Sequence, residues 1–545
     1  MFARIKKSGK YQYLQIVENR KEAGKVRQQV IATLGRLDQL QEKGRVETLI
    51  RSLSRFSENT MLILSGKSDI SADANSIGPV LIFERLWRES GIQFAIRKLL
   101  GKRRFQFDVE RAIFLTVLHR LMVSGSDRFC DKWRRDYLVE GIDELQLHHC
   151  YRAMSFLGEE LSDQTHATPF SPRRNKDLIE EMMFSANRHL FSSLDLVFFD
   201  TTSIYFEGRG GETLGQKGFS KDHRPDLNQM VVGAVLDDEG RPICCEMWPG
   251  NTADVATLIP LVDRLRKRFG IRSICIVADR GLISHENLQE LKQRGISYIL
   301  GVRMRRVKEV HLDVLSRGGR YREVYPESND RTQPAPLKVK EVFQNGKRYI
   351  VCLNQRQARK DAADRQAIIE SLEDQLKKGA KSLVGNKGYR RYLKVEKNSA
   401  RIDTEKVEAE ARFDGKWVLT TDTRLSAGAV ALKYKELWQV ERVFRDMKSM
   451  LETRPVYHQN DANIAGHVFC SFLSLVLRKE LEQRLASAGH QFEWSDIKQD
   501  LRALKQIEIE EGGARFMIRS QCKGHCGKIF QAVKVALPPT IKEVK

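Results

Sequence analysis

Three carboxylates stand out by the company they keep. Asp200 sits inside the apolar run LVFFDTTSIYF, Asp279 closes SICIVAD, and Glu441 lies in YKELWQVERVFRDMK, residues 434–448. The first two runs read as buried strands. The third reads as a helix, free of Gly and Pro and rich in Leu, Glu, Lys, Arg and Met. A buried strand rarely keeps a bare Asp, because burying an uncompensated charge is costly. Three acids brought together from separate elements repel one another unless something positive lies between them. A hard cation such as Mg²⁺, which takes carboxylate oxygens and keeps waters, meets that need. Two such ions about 4 Å apart activate an attacking oxygen and stabilise a leaving one in phosphodiester chemistry. For each acid taken singly, an ordinary strand-end or surface position is the competing reading.

The helix carries more than its acid. At about 100° per residue, positions seven apart return to nearly the same face, so Tyr434, Glu441 and Lys448 share a side with Trp438 and Arg445. Leu437, Val440, Phe444, Met447 and Leu451 form a neighbouring apolar stripe that can dock the helix on a core. The plainer reading is a surface helix with an ordinary Glu441–Arg445 pair at i,i+4.

The elements around these residues have a consistent order. From residue 194 the chain reads strand, strand, strand, helix, strand, helix, strand. The first three strands suit an antiparallel meander, and the later ones need helical crossovers, as parallel strands do. The first and fourth strands can then be neighbours, which brings Asp200 towards Asp279. Asn251 or Thr252 is available to cap the first crossover helix. The loop after the first strand is Gly-rich and basic. Its Lys217, Lys221, His223 and Arg224 are candidate phosphate contacts, while Asp222 and Asp226 read as ordinary loop residues. Residues 304–415 are polar and basic, with β-like pieces around one helix, and read as an insertion. KWVLTTDT then reads as a strand returning to the sheet.

Composition narrows the partners. With 93 Lys plus Arg against 71 Asp plus Glu, the net charge is +22, which favours a polyanion such as nucleic acid. Residues 1–60 hold 13 basic and 6 acidic side chains. They read as a β hairpin about Ser8-Gly9-Lys10 plus a third strand, a plausible DNA-gripping module. Helical spacing dominates residues 41–190. No run of about 18 apolar residues and no secretory leader is present, so a cytoplasmic protein without a membrane partner is expected. Nine scattered cysteines do not read as a disulfide framework. His148-His149 and the Cys522, His525, Cys526 group lack the ligand spacing of a metal site.

The three blocks LVFFDTTSIYF, SICIVADRGL and YKELWQVERVFRDMK together resemble the insertion-sequence DDE transposases, specifically the group with a Tyr-x2-Arg-x3-Glu-x6-Lys signature on the glutamate helix. The resemblance spans roughly 190–480. It implies an α/β fold: an RNase H-like mixed sheet flanked by helices, with a β-rich insertion before the glutamate helix, here joined to a separate N-terminal β plus helical region. The expected divisions are 1–60, a basic β module; 61–190, a helical DNA-binding region; 191–303 and 416–480, the two parts of the catalytic core; 304–415, the insertion; and 481–545, a C-terminal tail. The resemblance further implies Asp200, Asp279 and Glu441 as metal-binding acids with two Mg²⁺ ions, Mn²⁺ being able to substitute. It places Tyr434 and Lys448 near DNA phosphates. Double-stranded DNA, both transposon ends and target, is the implied partner, held by a homodimer. Arg445, Trp438, Lys217, Lys221 and Arg224 join the DNA-contact candidates, and Trp417 and Trp438 are candidates to stack on a base. The chain departs from the signature at Leu437, where the family has Arg, so the excision route is left open. The competing functions are a non-catalytic DNA-binding regulator and an RNase H-like nuclease without strand transfer.

Overall fold

The computed structural model describes residues 2–22, 25–42, 46, 71–101, 103–168, 171–187, 196–271, 274–325, 337–378, 392–396, 399–511 and 514–544. They fall into two compact units, one of residues 1–75, 505–521 and 538–545, the other of 76–504 and 522–537. In the first, β1 (Phe2–Ser8), β2 (Tyr11–Glu22) and β3 (Lys25–Arg36) form an antiparallel meander, with the hairpin turn at the expected Gly9. β4 (Ser71–Ser76) belongs to a second sheet completed by strands from the C-terminus. The helix expected at 41–56 lies almost wholly outside the described residues.

The second unit is built on one sheet. β5 (Leu196–Tyr205), β6 (Gln229–Leu236) and β7 (Pro242–Pro249) run antiparallel. A helix, Leu258–Phe269, crosses over to β8 (Cys275–Ala278), and a second, His285–Gln293, leads to β9 (Ser297–Val302). β8 pairs parallel with β5, and β9 parallel with β8. The spatial order β7-β6-β5-β8-β9 sets the first and fourth strands side by side, as the order of elements allows, in the RNase H-like arrangement that the resemblance implies. The crossover helix starts at Thr257 after a short 3₁₀ turn, Asp254–Ala256, so neither Asn251 nor Thr252 is its cap.

Residues 304–415 differ from expectation. β10 (Arg322–Val324), β11 (Leu337–Gln344) and β12 (Lys347–Leu353) do not make a sheet of their own. They extend the central one through β15 (Lys416–Thr421), which pairs antiparallel with β9. Outside it, among the described residues of 355–411, stand a helix, Gln355–Lys378, the hairpin of β13 (Leu393–Glu396) and β14 (Ser399–Ile402), and a short helix, Thr404–Ala411. They share a small core of Leu372, Tyr392 and Leu393. Alternating patterning marks a strand as half-buried but does not say which sheet it joins.

The helical region expected at 61–190 is likewise not separate. The helix Val109–Met122 is buried along its whole length, and it packs with Leu147–Gly158 and Asp461–Ser487 into the core on one face of the sheet. The opposite face is covered by Leu258–Phe269. Behind that face Asp177, Glu180 and Glu246 meet Lys176, Arg264 and Arg268, six charged side chains almost without solvent contact. Arg268 alone reaches Glu180 at 2.6 Å and Glu246 and Glu181 at 2.9 Å. Burial on that scale is tolerated because each charge is paired and hydrogen-bonded. Towards the C-terminus the helices Trp494–Arg502 and Cys526–Val533 stay with the second unit, while β16 (Lys505–Glu511), β17 (Ala514–Arg519) and β18 (Ile541–Val544) line up as β18-β17-β16-β4 in the first. The tail expected at 481–545 is therefore divided between the two. No helix among the described residues is long and apolar enough to cross a membrane, and no disulfide joins the nine cysteines.

Candidate active site

Strand parity aims the acids. On β5, Val197 and Phe199 pack towards the crossover helix, and Phe198 and Ile204 towards Val440 and Phe444. Side chains alternate along a strand, so Asp200 shares the face of Phe198, beneath the glutamate helix. The parallel register pairs Phe199 with Ala278 and Ala278 with Leu300. One residue further along, Asp200, Asp279 and Gly301 form a row across three neighbouring strands, which lie about 4.8 Å apart.

The Asp200 carboxyl is half-buried and accepts the Thr201 backbone N–H at 2.7 Å. Burial pushes its pKa up to about 6. The Lys221 ammonium and the Thr201 N–H oppose that rise, and nearby Asp279 and Asp254 add to it. Asp279 accepts the Tyr434 hydroxyl at 2.9 Å. Burial, and then the Asp279 charge, hold that phenol protonated far above its usual range. A side chain at Gly301 would collide with the Tyr434 hydroxyl, so the glycine is what lets the phenol lie over the row.

The segment 434–448 is not one ideal helix. It divides into Ala427–Lys435, Trp438–Arg445 and a wide π turn, Asp446–Met450. Tight i→i+3 bonds from Leu437 to Tyr434, Gln439 to Glu436 and Val440 to Leu437 mark the first join. The first helix packs on β8 and β9, and the second on β5 and β6. Tyr434 is thereby set over Asp279, and Glu441 is carried across the strand of Asp200. Glu441 is exposed, and its carboxylate makes no hydrogen bond or ion pair among the described residues; the Glu441–Arg445 pair of the plainer reading is not formed. Leu437, at the signature's Arg position, is buried in the core.

Lys448 points elsewhere. Its ammonium lies 2.8 Å from Asp222 Oδ1, which also takes Arg454 at 2.8 Å. Burial lowers the Lys448 pKa, and Asp222 opposes it. The residue before, Lys221, donates to the Thr201 carbonyl at 2.7 Å and to Thr201 Oγ1 at 2.9 Å, and pairs with Asp254 at 3.1 Å. Thr201 Oγ1 donates to Asp254 at 2.7 Å. Two consecutive loop residues thus fasten the strand of the first acid to the element that follows the third. Neither Asp222 nor Asp254 was distinguishable in the sequence. The first read as loop, and the second was absorbed into an amphipathic helix, although its position after a Gly-Asn break is a helix-start signal.

The remaining candidates scatter. Arg224 is exposed and paired with Asp226 at 2.9 Å, Lys217 and Arg445 are exposed, and Trp438 is 53% exposed. Trp438 lines a separate groove with Arg442, Asp446 and Arg478. Trp417 packs against the core with its indole N–H buried. A cleft of about 780 Å³ opens beside the acid row. Asp279, Asp254 and Lys221 lie in its wall together with Arg280, Arg303, Arg305 and Arg306, four cations the sequence reading passed over.

The comparisons follow the same outline. The family model for the transposase DDE domain matches residues 192–477, and the model for the IS1634 family transposase N-terminal domain matches residues 3–67. This chain belongs to the DDE transposases. No curated protein matches it. The transposase is therefore a metal-dependent enzyme of transposition, of the insertion-sequence kind.

The donor set fits a hard divalent cation. Asp200 is a carboxyl whose charged form is disfavoured by burial and by two neighbouring acids, a condition that a cation reverses. Glu441 is a free carboxylate. The three acids do not all lie within 4.8 Å of one another, however, so the set is open. Among the described residues the one trio that does so is Asp127, His458 and His467. Arg120 already fills that place: its guanidinium lies 2.8 Å from His467 Nδ1 and 3.7 Å from Asp127, while His467 Nε2 faces the Thr453 carbonyl.

Proposed function

We propose that the transposase binds the terminal inverted repeats of a mobile element, cleaves phosphodiesters at its ends and joins the freed 3′-hydroxyls to target DNA. Asp200, Asp279 and Glu441 would hold two Mg²⁺ ions, with Mn²⁺ as substitute. Bound there, the cations would polarise the phosphate and activate the attacking oxygen. In the first step a water oxygen attacks phosphorus and the bond to the 3′ oxygen breaks, leaving a 3′-hydroxyl and a 5′-phosphate. In the second that hydroxyl attacks a target phosphodiester and displaces its 3′ oxygen. Tyr434 orients the Asp279 carboxylate through its hydroxyl. Arg280, Arg303, Arg305 and Arg306 in the cleft, with Lys217, Lys221, Arg224 and Arg445, supply the positive field that holds phosphates, while Lys448, held by Asp222, braces the loop instead. Trp438 is a contact candidate further out. The basic N-terminal strands take the end sequence, and a homodimer holds both ends, in the cytoplasm.

The observation that carries this reading is the row of Asp200 and Asp279 on adjacent parallel strands, on the face crossed by the helix bearing Glu441. The test supplies pre-cut ends and target plasmid with Mg²⁺. Joined products are expected from the wild type and none from Asp200→Ala. Nicking without joining would indicate a nuclease, and end binding without either would indicate a regulator.

A further inference from the structure

Among the described residues Phe219 is the most exposed large apolar side chain, at 85%. It stands in the wall of the cleft that holds Asp279 and Asp254. Exposure of that degree forfeits the stabilisation that burying a phenylalanine ring would otherwise contribute, and packing does not account for it. Nor does looseness of the loop. The Phe219 carbonyl accepts from Gln229 Nε2 at 2.9 Å, and Gln229 is itself fully buried. Two residues on, the Lys221 backbone N–H donates to Ser203 Oγ at 2.8 Å. Gly218 lies so close to the Gly250 carbonyl that no side chain fits between them. The ring is thus presented to solvent from a fixed backbone.

Its surroundings select a partner. Lys217 and Lys221 lie two residues to either side, and Arg280, Arg303, Arg305 and Arg306 line the same cleft. An aromatic ring set between cations is the arrangement that takes single-stranded nucleic acid: cations track the phosphates and the ring stacks on a base. In intact duplex the base faces are covered by their neighbours, so the ring finds a partner only where a base is unstacked. Trp438 and Trp417, the stacking candidates in the sequence, lie in another groove and against the core.

We propose that Phe219 stacks on an unpaired nucleobase of the DNA strand that enters the cleft walled by Asp254 and Asp279. This rests on the DNA-cleaving reading above and adds to it a stacking subsite with a named residue. The experiment uses the full-length transposase without divalent metal and a 20-nucleotide oligo(dT) carrying one central 2-aminopurine. The same strand paired with its complement serves as comparison. Wild-type protein should quench the 2-aminopurine in the single strand as the ring stacks on it. Phe219→Ala should abolish the quench and weaken single-strand binding by about 5- to 150-fold, the measured span for one stacked base. Duplex affinity should stay within about twofold. Phe219→Trp should restore quench and affinity. Because the side chain is exposed, neither substitution disturbs the core. If Phe219→Ala quenches and binds as the wild type does, the stacking role is overturned and the DNA-cleaving reading stands. If the wild type binds neither DNA, both fall.

Discussion

Replacing Asp200 by Asn should make the metal-free protein more stable at neutral pH while removing its chemistry. The carboxyl is raised from 3.8 to about 6, first by burial and then by Asp279 and Asp254. A displacement of about two pH units corresponds to about 3 kcal/mol at 1.36 kcal/mol per unit. The group keeps some contact with water, so ~2 kcal/mol is the working figure. The sign follows from proton counts. Below pH 4 Asp200 is protonated whether the chain is folded or not, and its ionisation costs nothing. Between about 4 and 6 the unfolded chain has released the proton and the folded one retains it, so stability falls as pH rises. Above 6 the whole penalty is present. Asp200→Asn keeps an oxygen for the Thr201 N–H and carries no charge. Urea unfolding in EDTA should therefore find the two proteins alike near pH 4 and the variant ahead by ~2 kcal/mol at pH 8. Asp237, also raised to about 6, titrates in both and cancels in the difference. Added Mg²⁺ at pH 8 should close the gap by stabilising the wild type alone. A variant no more stable than wild type at pH 8, or a gap independent of pH, would refute the reasoning.

Three further perturbations follow from the contacts. Tyr434→Phe keeps the ring and removes the donor to Asp279. A hydrogen bond to a charged group is worth ~1.5–3 kcal/mol, so single-turnover end cleavage should slow by about 10- to 150-fold with the melting temperature little changed, and a rate within twofold of wild type counts against the positioning role. Asp222→Ala strips the shared counter-charge from Lys448 and Arg454 and should cost ~3–5 kcal/mol in urea unfolding, whereas the Asp222→Ala, Lys448→Met pair should lose less than the sum of its parts; additive losses would mean the contact is not energetically coupled. Arg268→Met leaves Asp177, Glu180 and Glu246 short of a cation and should destabilise by a similar ~3–5 kcal/mol, with a loss under ~1 kcal/mol showing that the buried acids had protonated instead.

Much of the catalytic sheet was legible because its signals are local. The unbroken apolar runs of β5 and β8, the break after Asp279 and the helical spacing that follows reveal the order of elements and allow Asp200 and Asp279 to be neighbours, which the β5–β8 pairing makes them. What was hidden depends on pairing. Residues 337–353 read as two short strands about a turn, and only their partners reveal that they widen the central sheet. No Gly or Pro marks the join at Glu436–Leu437, yet the tightened turn there and the π turn after Arg445 send Tyr434 and Lys448 to different partners. Asp222 looks like an ordinary loop acid, and Asp254 like part of the first crossover helix, until Lys448, Arg454, Lys221 and Thr201 arrive from elsewhere in the chain. Leu437 shows the converse: a departure visible in sequence is occupied in space by a core side chain, so no cation replaces the missing Arg at that position.

The central claim is that Asp200, Asp279 and Glu441 act together on a phosphodiester. The direct measurement is nicking of the element's own end DNA with Mg²⁺, alongside Asp200→Asn, Asp279→Asn and Glu441→Gln, with end binding followed on the same samples. Cleavage should require Mg²⁺, and each variant should lose it by at least about a thousandfold, near 4 kcal/mol of barrier, while binding the DNA within a few-fold of wild type. Any one of the three variants cleaving at close to the wild-type rate would contradict the assignment.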